Sequence, residues 1–518
     1  MNKKRKIIFI IILLLAAGLR LIDLKNIPYG VNQDEADRAY EAYSLLRTGH
    51  DQHGHSWPLT LEAFSKNRDN ASAISAYAAI PFVKLLGPTI AAVRLPSAIA
   101  GILAVLCVIY VGKRLSGQPE IGLLAGFALA VSPWHLTYSR FGHEAIWAAA
   151  LFLVGFAAFL KAVDNKPVLF LLASFSWALG LYGYPVSKLF LPAMLVLLLV
   201  LFWRQIVKFR VWVIAAILLG IVLLVPLINW QLHSLTDAGR FSEISVFSRP
   251  KWFLSLILNF GSFVNPIEWL LGHLTAGPLD WFLVIFGFPM FFITTNKNPG
   301  LKRIRWLAGL WFFFAILPSV LTNFNPSQTR SILLLGPMQI IGAWGFFNFY
   351  KLCASYLPKI DLRPVAFGVI FAGAIAGILI FWRPAYSLNK TFAWVNPGYL
   401  AEVEKVVKIL EDKYPDALEV RIMDDNLNQP QIYFMLFKPW DPSRVVQDHI
   451  FEVNPAGWYR TVRLGRYVFC RQKECLTSNP GVLYVDIATR QPLGKNLLET
   501  ISIKELDKLG IHWNISKN

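Results

Sequence analysis

Long apolar runs separated by short polar breaks fill the chain from its start to about residue 382, after which the pattern changes. Runs at 6–25, 94–112, 119–136, 145–163, 167–184, 188–203, 211–229, 278–295, 306–322, 330–350 and 365–382 approach the roughly 20 residues that an α-helix needs to cross the hydrocarbon core. Basic residues set the sides. Lys3, Lys4, Arg5 and Lys6 precede the first run, and Lys113 with Arg114, Lys161 with Lys166, the 204–210 group, the 297–305 group and the 351–363 group fall between later ones. Putting each cluster in the cytoplasm predicts about eleven spans, with the amino end inside and the carboxyl end outside. The first run reads as an uncleaved helix, since no small-residue cleavage site follows it.

The run 71–87 is also apolar, but it contains Lys84 and stops at Gly87-Pro88. Were it a span, every later basic cluster would change sides. It is therefore expected to lie in the outer interface or to re-enter from it. The outer loops are then 26–93, 133–144 and 230–277, the last with interfacial segments near 240–248 and 251–272. Aromatic residues such as Trp252, Trp269 and Trp281 are placed to border a lipid groove.

After Arg383-Pro384 the pattern becomes that of a compact domain, 383–518, outside the membrane. A helix is expected within Gly398–Lys413, and strands at Leu418–Met423, Gln431–Phe437, Thr461–Phe469 and Val482–Ile487. About 130 residues suffice for a separate core. The fold class is thus a polytopic α-helical membrane domain, 1–382, followed by an extracytoplasmic α/β domain. Cys470 and Cys475 both fall outside, where a local disulfide can form, while Cys107 lies in a span and Cys353 near the inner face.

Composition agrees with this reading: 55% of the 518 residues are hydrophobic, 16% are charged, and the mean hydropathy is +0.47. The net charge of +18 comes from loop clusters and not from a contiguous basic surface, which argues against a nucleic-acid partner. Membrane lipids are the partners this pattern calls for.

Candidate chemistry gathers on the outer face. Asp34 and Glu35 follow the first run by about ten residues, and Arg38, Lys66, Arg68 and Arg94 share their loop. The two acids can equally cap a helix from about Glu35 to Leu46, where the helix dipole favours negative charge. The 133–144 turn holds His135, Arg140, His143 and Glu144 at the mouth of two runs. Glu144 is either an N-cap acid or an ionisable group placed for function. Tyr184 and Lys188 share another outer corner, and Arg330 opens the 330–350 run. Lys66, Arg94 and Arg330 are the candidate phosphate-binding cations, although an arginine at a helix end can also only reach for headgroups.

Four short motifs occur in a fixed order: Asp34-Glu35; Arg94-Leu95-Pro96-Ser97-Ala98; Ser132-Pro133 with Ser139-Arg140 and Glu144; and Tyr182-Gly183-Tyr184-Pro185. Together, over about residues 1–350, they resemble the GT-C glycosyltransferases that use lipid-phosphate sugars, the group of protein O-mannosyltransferases and lipid A aminoarabinose transferases. The resemblance implies transfer of a monosaccharide from a polyprenyl-phosphate donor to an extracytoplasmic lipid, glycan or protein of the cell envelope, with inversion. Asp34 becomes the general base, assisted by Glu35 and Glu144. Lys66, Arg94, Arg140, Tyr184, Lys188 and Arg330 become substrate-binding residues. The resemblance also makes Glu144, with His143, a candidate site for a divalent metal, and no other cofactor is called for. The repeat domain that eukaryotic protein O-mannosyltransferases carry in a luminal loop has no counterpart here, which disfavours a protein acceptor. An envelope polysaccharide polymerase or ligase is the nearest alternative, but such enzymes depend on long outer loops with Arg and His. A transporter would place its ionisable groups mid-membrane, and the runs are almost free of charge.

Overall fold

The computed structural model describes residues 2–65, 70–233, 245–264, 277–293, 299–322, 327–386, 399–400, 402–425, 427–454, 457–475, 481–488, 494, 496–502 and 512–517. The chain divides into two compact units. One comprises Met1–Ile22 and Ser97–Phe381, the other Asp23–Pro96 and Trp382–Asn518.

The first unit is helical. Five of the described helices are long and apolar enough to cross a membrane: Ile90–Ser116, Ala145–Asp164, Arg210–Leu232, Ile332–Tyr356 and Arg363–Trp382. A sixth arises if Pro119–Val131 and Pro133–Arg140 are one span, bent by 60° at Ser132. Proline supplies the bend, because Pro133 cannot donate the hydrogen bond that would continue the preceding helix. The run expected to stop near residue 112 extends to Ser116.

Burial separates two kinds of helix. In Ala145–Asp164, 72% of the apolar window is buried, but in Arg210–Leu232 only 11% is. Apolar side chains that pack on nothing in the protein have hydrocarbon as their solvent, so this is a multi-pass membrane fold. Tight helix contacts rely on missing side chains, as in other membrane bundles. A Cβ on Gly345 would stand 1.7 Å from the Gly287 carbonyl oxygen, so helix Pro337–Tyr356 can meet the π turn Leu283–Gly287 only through glycine. Trp281 is buried here instead of bordering lipid, Trp252 is exposed, and Trp269 lies outside the described residues.

This unit also carries buried charge, contrary to the expectation of nearly charge-free runs. Arg20 is fully buried, and its guanidinium donates to the carbonyls of Ala16, Leu129 and Ala130 and meets His135 Nδ1 at 2.6 Å. Asp280 accepts from Ser132 Oγ at 2.6 Å and Gln339 Nε2 at 3.0 Å. A single polar residue in an apolar run does not reveal its partners, most of which here come from helices more than fifty residues away.

The second unit joins the loop that follows the first helix to the carboxyl-terminal residues. Its seven-stranded sheet runs in the order 496–502, 512–517, 483–488, 420–423, 467–470, 459–464, 449–453. The central strand Val420–Met423 is parallel to both neighbours, and the outer pairs are antiparallel. Helices Gln33–Thr48 and Ile74–Leu86, from the loop, share one hydrophobic core with Val403–Asp412 and the sheet. Gln431–Phe437, expected as a strand, is a helix packed on Gln33–Thr48. Its residues from Ile432 to Leu436 are buried on every side, so its unbroken apolar run carried no alternation that could distinguish the two forms. The 71–87 run is the helix Ile74–Leu86, too short for the long apolar class. Of the expected segments in 230–277, Val246–Ser248 is a 3-10 turn and Trp252–Val264 a helix; 234–244 and 265–276 lie outside the described residues. Cys470 and Cys475 form a disulfide.

Candidate active site

The residues singled out in the sequence fall in both units, and each group is built within its own.

In the second unit the site begins with a helix cap. The Asn32 side chain accepts from the Asp34 N–H at 2.8 Å, and the Glu35 carboxylate accepts from the Asn32 N–H at 3.2 Å, closing a capping box on helix Gln33–Thr48. Asp34 is thereby held in the first turn, half-buried, while Glu35 is fully buried. Glu35 meets Arg94 in a two-pronged pair, with Nε to Oε1 at 2.7 Å and Nη2 to Oε2 at 2.9 Å. The rest of the Arg94 guanidinium donates to the carbonyls of Leu24, Lys25, Pro28 and Gly30 at 2.9–3.2 Å. One arginine thus ties the start of the loop, the capping acid and the next long helix together. A buried carboxylate survives in this way only with a partner of matching geometry.

The same loop is sewn to the carboxyl-terminal residues. Val31 and Asn32 pair with Leu400 and Tyr399 as a two-residue ladder, and Tyr433 Oη donates to the Val31 carbonyl at 3.1 Å. Tyr40 Oη donates to the Trp440 carbonyl at 3.0 Å, and Tyr29 Oη donates to Glu402. Asp34 is two residues from that ladder. The backbone carrying it is fixed from both sides.

One turn further along the helix lies a second acid cluster that the sequence reading did not single out. Asp37 pairs with Arg38 and accepts from Gln52 Nε2 at 2.7 Å, and Glu41 accepts from the Gln52 N–H at 3.2 Å. Asp51 accepts from the N–H groups of His53 and His55 and from His55 Nδ1. Burial pushes the Asp37 carboxyl up to about 6, against the pull of Arg38 and Gln52, with the Asp34 charge adding to the rise. Burial, then the charges of Asp37 and Asp51, hold Glu41 well above the ordinary carboxyl range. The spacing Asp34, Asp37, Glu41 puts these acids on one helix face, the signal by which the cluster could have been found.

In the first unit the 133–144 turn, the Tyr184 corner and the 327–331 turn come together. The His143 ring lies 5.9 Å from both Tyr138 and Tyr184 and 5.4 Å from Phe141. Tyr138 Oη bonds Thr329 Oγ1 at 2.5 Å, beside Arg330. His143 Nδ1 accepts from the Ala145 N–H at 3.0 Å. Glu144 occupies the N-cap position of helix Ala145–Asp164 without a side-chain capping bond. Lys188 sits 6.0 Å over the Trp230 ring. Arg140 is fully buried, and its guanidinium donates to the carbonyls of Leu19 at 2.7 Å and Ile22 at 2.8 Å. Lys66 lies outside the described residues. Among the described residues no three His, Cys, Asp or Glu side chains form a metal-holding group.

Comparison with known proteins adds a family resemblance and a fold. A family model described as dolichyl-phosphate-mannose-protein mannosyltransferase matches residues 72–230. No curated protein sequence matches the chain. The crystal structure of ArnT from Cupriavidus metallidurans bound to undecaprenyl phosphate superposes with a TM-score of 0.52 at 13% identity, covering 92% of this chain and 93% of that one. The archaeal oligosaccharyltransferase AglB from Archaeoglobus fulgidus, in complex with an inhibitory peptide and a dolichol-phosphate, gives 0.50 at 12% identity over 84% of this chain and 63% of its own. In sequence over residues 72–230, and in fold over most of its length, the chain resembles the GT-C glycosyltransferases that use lipid-linked donors.

Proposed function

We propose that the chain is an integral membrane glycosyltransferase that moves one sugar from a polyprenyl-phosphate donor to an extracytoplasmic acceptor, with Asp34 as general base. The acceptor hydroxyl attacks the anomeric carbon as its proton passes to the Asp34 carboxylate, and the bond from that carbon to the phosphate oxygen breaks. Polyprenyl phosphate leaves with the bonding pair. A single displacement of this kind inverts the anomeric centre.

The observation that carries the reading is the capped helix terminus. It holds a half-buried carboxylate in place through Glu35, Arg94 and the Val31–Asn32 ladder. The undecaprenyl phosphate bound to ArnT and the dolichol-phosphate bound to AglB support the donor class. Arg330 and Lys188 are the proposed phosphate cations, Tyr184 and His143 line the approach, and Glu144 orients the acceptor or a divalent ion. Arg94 and Arg140, whose guanidiniums are engaged by protein carbonyls, act by positioning the chain.

The test is release of free undecaprenyl phosphate from a panel of undecaprenyl-phosphate sugars by the purified protein in lipid nanodiscs. Wild type is expected to consume at least one donor when an envelope extract supplies acceptor. Donor release that is undiminished in Asp34→Asn would end the base assignment.

A further inference from the structure

The second unit contains a cavity of about 370 Å³, within the size range of small-molecule sites, that nothing in the transfer chemistry uses. It is set between the end of the central strand Val420–Met423 and the start of strand Tyr459–Leu464, and its wall is overwhelmingly polar. Asp424, Asp425, Arg460 and Arg471 contribute two negative and two positive charges, so the lining has no net charge to select an anion or a cation. Arg460 Nε faces Asp424 Oδ2 at 3.3 Å, a long pair that leaves both groups further hydrogen-bonding capacity.

Two amides complete the wall. Gln431 is 6% exposed, and its Nε2 donates to Gln429 Oε1 at 2.8 Å, but its buried Oε1 has no hydrogen-bond partner among the described residues. An amide oxygen buried without a donor carries a desolvation cost that a ligand hydroxyl would remove. Gln429 is held in the left-handed region at φ 50°, with its Nε2 donating to the Tyr459 carbonyl at 3.0 Å. A non-glycine residue there is uncommon, and such strain persists where the surroundings impose it. The turn bearing Arg471 is closed by the Cys470–Cys475 disulfide.

We propose that this cavity binds a neutral sugar residue of a glycan. A sugar presents adjacent hydroxyls, each both donor and acceptor, and the wall answers with carboxylate acceptors and with guanidinium and amide groups. A charged ligand would meet an opposing charge on every approach. The cavity also adjoins the loop that carries the base: the Tyr459 N–H donates to the Phe64 carbonyl at 2.9 Å, and Tyr459 Oη donates to Glu62 at 2.5 Å. The assignment of that glycan as the acceptor rests on the transferase reading. The affinity of the cavity for a sugar does not.

The experiment is saturation-transfer-difference NMR on the full chain in nanodiscs, free of glycosidic detergent, with methyl glycosides of glucose, mannose, galactose and rhamnose as probes and inorganic phosphate as the anionic control. Saturable binding of at least one glycoside is expected, weakened roughly fivefold or more in Arg471→Ala and in Gln431→Leu, the scale of one or two lost hydrogen bonds. Arg471 is exposed, so its variant keeps the test intact even if Gln431→Leu fails to fold. Asp34→Asn should bind as wild type does, which separates this site from the transfer step. Absence of glycoside binding, binding unchanged in Arg471→Ala, or saturable binding of phosphate in place of sugar would overturn the proposal.

Discussion

Glu35 and Glu41 are buried carboxylates on one helix, less than two turns apart, and the chain treats them in opposite ways. Glu35 faces a guanidinium with two parallel hydrogen bonds and a third from its own helix cap. Glu41 accepts one backbone N–H and is flanked by two more acids. Equal burial therefore produces a rigid charged clamp at the end of the helix that presents Asp34 and a proton-holding cluster one turn inward. Burial alone says little about a charged group; the geometry of its partner decides its state.

The comparison breaks most visibly at Arg94. Replacing it by Met leaves Glu35 buried without its cation, and the second unit should lose about 3–5 kcal/mol, the usual cost of stripping one partner from a buried pair. Thermal unfolding in nanodiscs reads this as a large fall in the midpoint. Arg94→Lys keeps the charge but not the fork and should fall between Met and wild type; equality with wild type would show that the fork is unimportant.

The inner cluster predicts a pH dependence of opposite sign to ordinary acid denaturation. Because Asp37 and Glu41 hold their protons more tightly folded than unfolded, the folded state binds more protons above about pH 4. Stability of the second unit should therefore decline as pH rises from about 4, with the Asp37 share of the decline complete once its folded pKa of about 6 is passed and the Glu41 share continuing until its own raised pKa is passed. Glu41→Gln should flatten that decline and be at least as stable as wild type at pH 8. A steeper decline in the variant would refute the assignment of Glu41 as protonated.

Asn32→Ala removes the side-chain half of the capping box and should cost about 1 kcal/mol. Its transfer rate should fall further than that loss of stability explains, because the cap also sets the position of Asp34. A variant with lowered stability and an unchanged rate would separate the cap from the chemistry.

Much of this was readable in the chain. The apolar runs located the long helices, and the Asp34-Glu35 pair marked the start of a helix, expected at about 35–46 and observed as Gln33–Thr48. What stayed hidden was pairing at a distance. Arg94 was selected as a cation for phosphate, yet its partner is 59 residues away in the same loop, and no local pattern encodes that return. Arg20 and Asp280 looked like isolated charges because their partners sit on other helices. Gln431–Phe437 was misread because complete burial erases the periodicity that separates helix from strand.

The most direct measurement is the single-turnover transfer rate of Asp34→Asn beside that of wild type, at matched folding judged by the same unfolding midpoint. Removing a general base while leaving Glu35, Arg94 and the cap in place should slow sugar transfer by about 10²–10⁴-fold with little change in stability. A folded Asp34→Asn protein that transfers sugar within a few-fold of the wild-type rate would contradict the account.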